Sequence, residues 1–192
     1  MNPLMNLSAL WTPLYLAWIV GEVAVAVLTR ASSRDAKLQD RGTQILLWVV
    51  IVLSLTASGW LRHALPADLP GRHWLGPLSV VVLAAGLTVR TAAILTLGKF
   101  FSANVATRAT QTIRRTGLYA VVRHPSYLGM ELIFLAAGLH GHNWVALLVA
   151  LIPTTIAVLV RIRVEEEALL AAFGPEYADY SRTTKRLLPG VY

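Results

Sequence analysis

The chain of 192 residues has no cysteine, which excludes disulfides, thiolate metal sites and cysteine nucleophiles. Charge is scarce as well: 14% of residues are Asp, Glu, Lys or Arg, against roughly a quarter in an ordinary soluble domain. Acidic residues are the scarcer sign, 10 against 17 basic, for a net charge of +7. The sequence carries no GxxxxGK[ST], no GxGxxG and no serine nucleophile elbow, so a cofactor would have to be held without a soluble nucleotide fold. His140 and His142 stand apart from His63 and His73 with no compact ligand set, and no metal site is expected. The N-terminus lacks the basic region and small-residue cleavage site of a signal peptide, and there is no convincing internal repeat.

What is present is apolar residue in blocks, 56% of the chain, with a mean hydropathy of +0.59. The blocks run about Trp11–Leu28, Ile45–Trp60, Trp74–Leu97, Ser126–Leu139 and Trp144–Val160. Most approach the roughly 20 residues that cross a bilayer, and lipid permits only helices there. The expected fold class is thus an all-α integral membrane protein of about five spans, in one membrane domain over residues 1–192. The fourth block is short for a full crossing, and HGHN (His140–Asn143) supplies the turn after it. The basic residues cluster after the first, third and fifth blocks, while the opposite loops hold only Arg62 and Arg72. The positive-inside rule then puts the N-terminus outside and the C-terminus in the cytoplasm. It also explains the net charge by membrane flanks rather than by nucleic acid.

Two of these basic segments are richer in specific polar residues than connectors need to be. The first, Lys99–Tyr127, holds Gly117, suited to a tight turn, and ends in VVRHPSY. Pro125 disfavours helix at His124 and suits the first position of the next helix. His124 would therefore stand at a helix N-terminus, where free N–H groups attract anionic groups. A plainer reading makes Arg123 and His124 interface markers and Tyr127 an aromatic-belt residue. The second segment, RIRVEEEALLAAFGPEYADY from Arg161 to Tyr180, places three carboxylates directly after an apolar span. On a helix Glu165, Glu166 and Glu167 point about 100° apart, so they do not all face one site. Arg161 and Glu165 are spaced to pair, and a solvated acidic face balancing nearby arginines is the plainer alternative. Glu22 and Glu131 lie within spans, where ionisable groups are costly. Glu131 has the spacing to share an interior groove with Tyr127, and Glu22 suits a hydrogen bond between helices.

TGLYAVVRHPSYLGM, followed after a helical hairpin by RIRVEEEALLAAFGPEYADYSRTTKRLLPGVY, resembles the isoprenylcysteine carboxyl methyltransferase family and its prokaryotic members, which are related to the phospholipid N-methyltransferases. The likeness covers roughly Arg90 to Tyr192. Residues 1–73 match only as generic membrane helices, leaving 74–192 as the methyltransferase core. The resemblance implies S-adenosylmethionine as methyl donor, with S-adenosylhomocysteine as product, bound at the cytoplasmic membrane face. It lays Gly117, Leu118, Tyr119, His124, Pro125, Tyr127 and Gly129 along the cofactor, and assigns Glu165 and Glu166 to its polar ends. Gln111 stands where family members often carry histidine, and is included in the cofactor set as a hydrogen-bonding residue.

Methyl transfer from a sulfonium is an in-line displacement with a good leaving group, so positioning and desolvation carry most of the catalysis. A carboxylate acceptor calls for a bidentate arginine. The resemblance makes Arg161 the first choice, with Arg123 second, and Glu131 or Glu166 would matter more if the acceptor were an amine. The expected function is carboxyl O-methylation of a prenylcysteine-like or other amphipathic acceptor at a prokaryotic inner membrane. The bilayer and a lipophilic or prenyl-thioether substrate are the expected partners. An amine N-methyltransferase, a sterol-reductase-like NADPH oxidoreductase and a small transporter or structural membrane protein stand as alternatives.

Overall fold

The computed structural model describes residues 7–29, 37–38, 42–102, 106–107 and 112–190. Gln111 lies outside the described residues. The elements are α1 (Trp11–Leu28), β1 (Lys37–Leu38), α2 (Thr43–Ala64), α3 (Arg72–Leu97), β2 (Ala106–Thr107), α4 (Pro125–His140), α5 (Trp144–Phe173) and α6 (Pro175–Thr183). Short 3-10 turns at Gly98–Phe100 and Gly117–Ala120 complete the path from α3 to α4. Among the described residues four helices, α1, α2, α3 and α5, are long and apolar enough to cross a membrane. The fifth, α4, has 16 residues. At 1.5 Å per residue it reaches about 24 Å, short of a hydrocarbon core of about 30 Å.

Helix limits follow local chemistry. Pro125 opens α4, where its missing N–H costs nothing. The Asn143 side chain accepts from Ala146 N at 3.0 Å and caps α5. Gly174, at φ 52°, ends α5, and Pro175 begins α6 directly after it. The last span was expected to stop near Val160, but α5 runs 30 residues, to Phe173. Its apolar stretch merges into RIRVEEEALLAAF without a breaker, and every residue there tolerates helix. The acidic residues therefore ride on a rigid extension of a span, not on a loop.

In lipid, apolar surface gains nothing by leaving its solvent, so close packing and polar contacts hold helices together. The α3–α4 crossing is the closest: a Cβ on Gly129 would lie 2.7 Å from Arg90 N and 2.8 Å from Gly86 O. Gly129 thus serves the approach of α3. Trp18, Leu47, Ile51, Leu83, Ile133 and Phe134 form much of the buried core. At one end, the α4–α5 turn is tied to the α2–α3 loop through Trp144 N to Ala67 O (2.8 Å) and Leu69 N to His142 O (2.9 Å). At the other end, β1 after α1 pairs antiparallel with β2 after α3. The C-terminal tail joins that same end: Arg123 N donates to Lys185 O at 2.8 Å and His124 N to Arg186 O at 3.1 Å. The three basic segments therefore lie together, as alternating spans require.

Candidate functional site

Two arrays of polar side chains converge where α4 begins. In the first, Glu166 is the hub. Its Oε1 accepts from Arg123 Nε at 2.9 Å and lies 3.2 Å from His124 Nε2, while Oε2 meets Arg186 Nη2 at 2.8 Å. A carboxylate only accepts, so His124 Nε2 is the donor in this pair. Arg123 also donates to the carbonyls of Ser181 (2.8 Å) and Thr184. One carboxylate thereby ties α5 to the RHP bend and to the tail.

In the second array, Tyr127 stands between Arg161 and Glu165. Its hydroxyl donates to Glu165 Oε2 at 2.9 Å and accepts from Arg161 Nε at 2.9 Å. Arg161 Nη1 reaches Thr43 Oγ1 on α2 at 3.0 Å. The spacing of Arg161 and Glu165 suggests direct pairing, but the phenol bridges them. Tyr127 lies one helical turn into α4, and its ring reaches across to α5 at the level of both partners.

These residues face a cavity of about 110 Å³. Tyr119, Arg123, His124, Tyr127, Arg161 and Glu165 line its polar side. Leu47, Trp48, Leu97, Phe100, Phe101 and Met130 supply much of the apolar remainder. Behind the polar side, Tyr180 donates to Tyr119 O at 2.6 Å, and Arg115 Nη2 donates to Glu176 O at 2.9 Å. Burial raises the Tyr180 phenol to about 12 and moves Tyr177 and Tyr119 upward too, so all three stay neutral. Among the described residues, no group of three His, Asp or Glu side chains is placed to hold a metal ion.

Four of the expected cofactor residues, Tyr119, His124, Tyr127 and Glu165, line the cavity. Glu166 sits behind His124 and holds it. Gly117 has the positive φ expected of a tight turn, 61°, with open space around it. Leu118 is half-buried, and Pro125 is buried at the start of α4. Glu165 and Glu166 both find partners at the start of α4. Glu131 departs from expectation: it accepts from Thr155 on α5 at 2.8 Å and does not line the cavity with Tyr127.

Sequence reasoning missed Arg90. Buried on α3, it grips Glu22 of α1 with two nitrogens, Nη2 to Oε2 at 2.6 Å and Nε to Oε1. Its Nη1 donates to Ser126 Oγ at 2.6 Å. Glu22 was expected to hydrogen-bond between helices; here it forms a full ion pair in the cavity wall. The available signal was charge complementarity: an acidic and a basic residue in different spans have strong reason to meet.

A helical membrane bundle with a polar, arginine- and carboxylate-lined cavity at one end is the class that fold and site define. The family model of the isoprenylcysteine carboxyl methyltransferase (ICMT) family matches residues 78–171. Methanethiol S-methyltransferase 2 of Bradyrhizobium diazoefficiens is 34% identical over 167 residues, covering 80% of this chain and 61% of its own. Protein-S-isoprenylcysteine O-methyltransferase of Mus musculus is 30% identical over 142 residues, covering 70% and 50%. The solved structure of the eukaryotic intramembrane Ras methyltransferase ICMT aligns with a TM-score of 0.61 at 24% identity, over 75% of this chain and 52% of that one, and shows the shared fold. The chain spans about half to three-fifths of the length of these relatives. It belongs to the isoprenylcysteine carboxyl methyltransferase family.

Proposed function

We propose that the protein transfers a methyl group from S-adenosylmethionine to a lipophilic acceptor at the end of the bundle that carries α4's N-terminus. The observation that carries this reading is the convergence of His124, Tyr127, Glu165 and Glu166 beside a cavity with a largely apolar remainder. The residues fit such a donor. Glu165 offers a carboxylate to a cationic group, His124 and Tyr119 border the polar side, and Phe100 and Phe101 offer aromatic surface. S-adenosylmethionine, when bound, supplies a methyl on a sulfonium whose leaving group needs no protonation. What remains for the protein is positioning and exclusion of water. Glu166 fixes His124 and Arg123, Tyr127 fixes Glu165 and Arg161, and the apolar side keeps the acceptor's tail out of water.

The acceptor depends on what its arginines are free to do. Arg161, the first choice as a carboxylate clamp, commits Nε to Tyr127 and Nη1 to Thr43. This favours an acceptor that needs no open guanidinium fork, in keeping with the methanethiol S-methyltransferase relative. Carboxyl O-methylation is the second reading, favoured by the names of the mouse and Tribolium castaneum relatives. The orientation proposed from the basic segments faces the site to the cytoplasm of a prokaryotic inner membrane. Calorimetry on detergent-purified protein with S-adenosylmethionine, S-adenosylhomocysteine and NADPH tests the donor. Binding of the first two is expected, and binding of NADPH alone would overturn the reading.

A further inference from the structure

The buried pair Glu22–Arg90 lies in the wall of the same cavity, yet it takes no part in the two arrays around Glu166 and Tyr127. Glu22 is the single charged residue of α1 and is buried there. An ion pair inside a membrane bundle is costly to desolvate, and adjacent apolar residues would pack as well. Its effect on what can bind beside it is direct. An anionic nucleophile brought into a low-dielectric cavity needs a cation with donors to spare. Among the described residues three arginines line this cavity, and each is engaged. Arg123 is held by Glu166 and two carbonyls, and Arg161 by Tyr127 and Thr43. Arg90 gives Nε and Nη2 to Glu22 and Nη1 to Ser126. At Arg90 the edge that would bind a carboxylate, Nε and Nη2, is filled by the carboxylate of Glu22, a residue outside the expected cofactor set.

Resting on the methyltransferase reading above, we propose that Glu22 determines the charge class of the acceptor. By occupying the fork of Arg90 and adding its own negative charge to the wall, it turns away carboxylates and leaves the cavity to an uncharged nucleophile, a lipophilic thiol. In the step, a lone pair of the thiol sulfur forms the new S–C bond and the sulfonium C–S bond breaks. Its electron pair stays on the departing thioether, and the thiol proton goes to water. Glu22 acts through Arg90 and does not touch the reacting atoms.

The test compares a farnesyl thiol with a farnesyl thioether carboxylic acid as acceptors, with S-adenosylhomocysteine binding measured in parallel. The wild-type protein should show the higher kcat/KM on the thiol. In Glu22→Gln the ratio of carboxylate to thiol kcat/KM should rise roughly tenfold or more, the worth of one charge-assisted hydrogen bond. Glu22→Asp keeps the anion and should stay near the wild-type ratio. Adding Arg90→Gln to Glu22→Gln should abolish the gain. A wild-type preference for the carboxylate, or an unchanged ratio in Glu22→Gln, overturns the proposal. If Glu22→Gln does not fold, Glu22→Ala, which likewise frees the Arg90 fork, is read in its place, with the same rise expected and an unchanged ratio again overturning the proposal. Failure of the wild-type protein to bind S-adenosylhomocysteine would instead sink the methyltransferase reading itself.

Discussion

Removing the Glu166 side chain probes the site most directly. Three basic side chains share that carboxylate, and their side-chain exposures are low: 10% for Arg123, 3% for His124 and 28% for Arg186, against 14% for Glu166. Glu166→Ala leaves two guanidinium groups facing each other across the vacated space. Breaking a buried pair costs about 3–5 kcal/mol, because the surviving charge keeps its desolvation penalty. Arg123 retains the carbonyls of Ser181 and Thr184, which places the expected loss at the lower end, about 3 kcal/mol. For a chain of this size that corresponds to roughly 6–12 °C in Tm. Glu166→Gln keeps one oxygen acceptor but aims an amide N–H at a basic side chain and leaves the arginines without a counter-charge, so its loss should approach that of Glu166→Ala. Thermal unfolding in detergent measures both, and S-adenosylhomocysteine calorimetry on the folded variants reads the site itself. Cofactor affinity should fall in both, because His124 and Arg123 lose their common anchor. A Glu166→Ala protein that melts like wild type and binds S-adenosylhomocysteine as wild type does would refute the hub assignment.

Tyr127→Phe removes both hydrogen bonds that join Arg161 to Glu165, and turnover with any accepted substrate should drop by at least about tenfold, checked by steady-state kinetics. Gly129→Ala pushes a methyl against Arg90 N and Gly86 O, and should lower stability by about 1–3 kcal/mol in thermal unfolding. Gly117→Ala meets open space but strains a left-handed backbone, so about 1–2 kcal/mol is expected there from the same measurement. The Tyr180 phenol is held up to about 12 by burial, while in the unfolded chain it ionises near 10. Between those values the folded state keeps a proton that the unfolded state has lost. Its stabilising contribution is full below about pH 10 and lost as pH rises toward about 12. In alkaline unfolding the advantage of wild type over Tyr180→Phe should therefore be largest below about pH 10 and shrink as pH rises toward about 12, because only the wild type carries this titration.

Much was already legible in the chain because the bilayer is an exacting solvent. Backbone groups in lipid must pair within a helix, so apolar blocks translate directly into spans, and Trp11–Leu28 and Trp144 onward start where expected. Pro125 and Gly117 were readable for the same kind of reason, since their covalent geometry restricts or frees the backbone locally. The extent of α5 was not readable, because nothing in RIRVEEE marks where membrane ends and helix continues.

The sequence by itself determined a helical membrane protein of the isoprenylcysteine carboxyl methyltransferase family, with its polar chemistry in the RHPSY bend and the RIRVEE segment. Only the tertiary structure decided which charge meets which. Tyr127 came between Arg161 and Glu165, Glu166 drew in Arg186 from the tail, and Glu22 met Arg90 across 68 residues. Spacing along one helix limits which faces a side chain can present, but a partner on another helix is set by how the helices cross. That crossing is fixed here by close backbone approach at Gly86 and Gly129 and by the tail's pairing with residues 122–124. Those contacts join distant parts of the chain, and no local pattern encodes them.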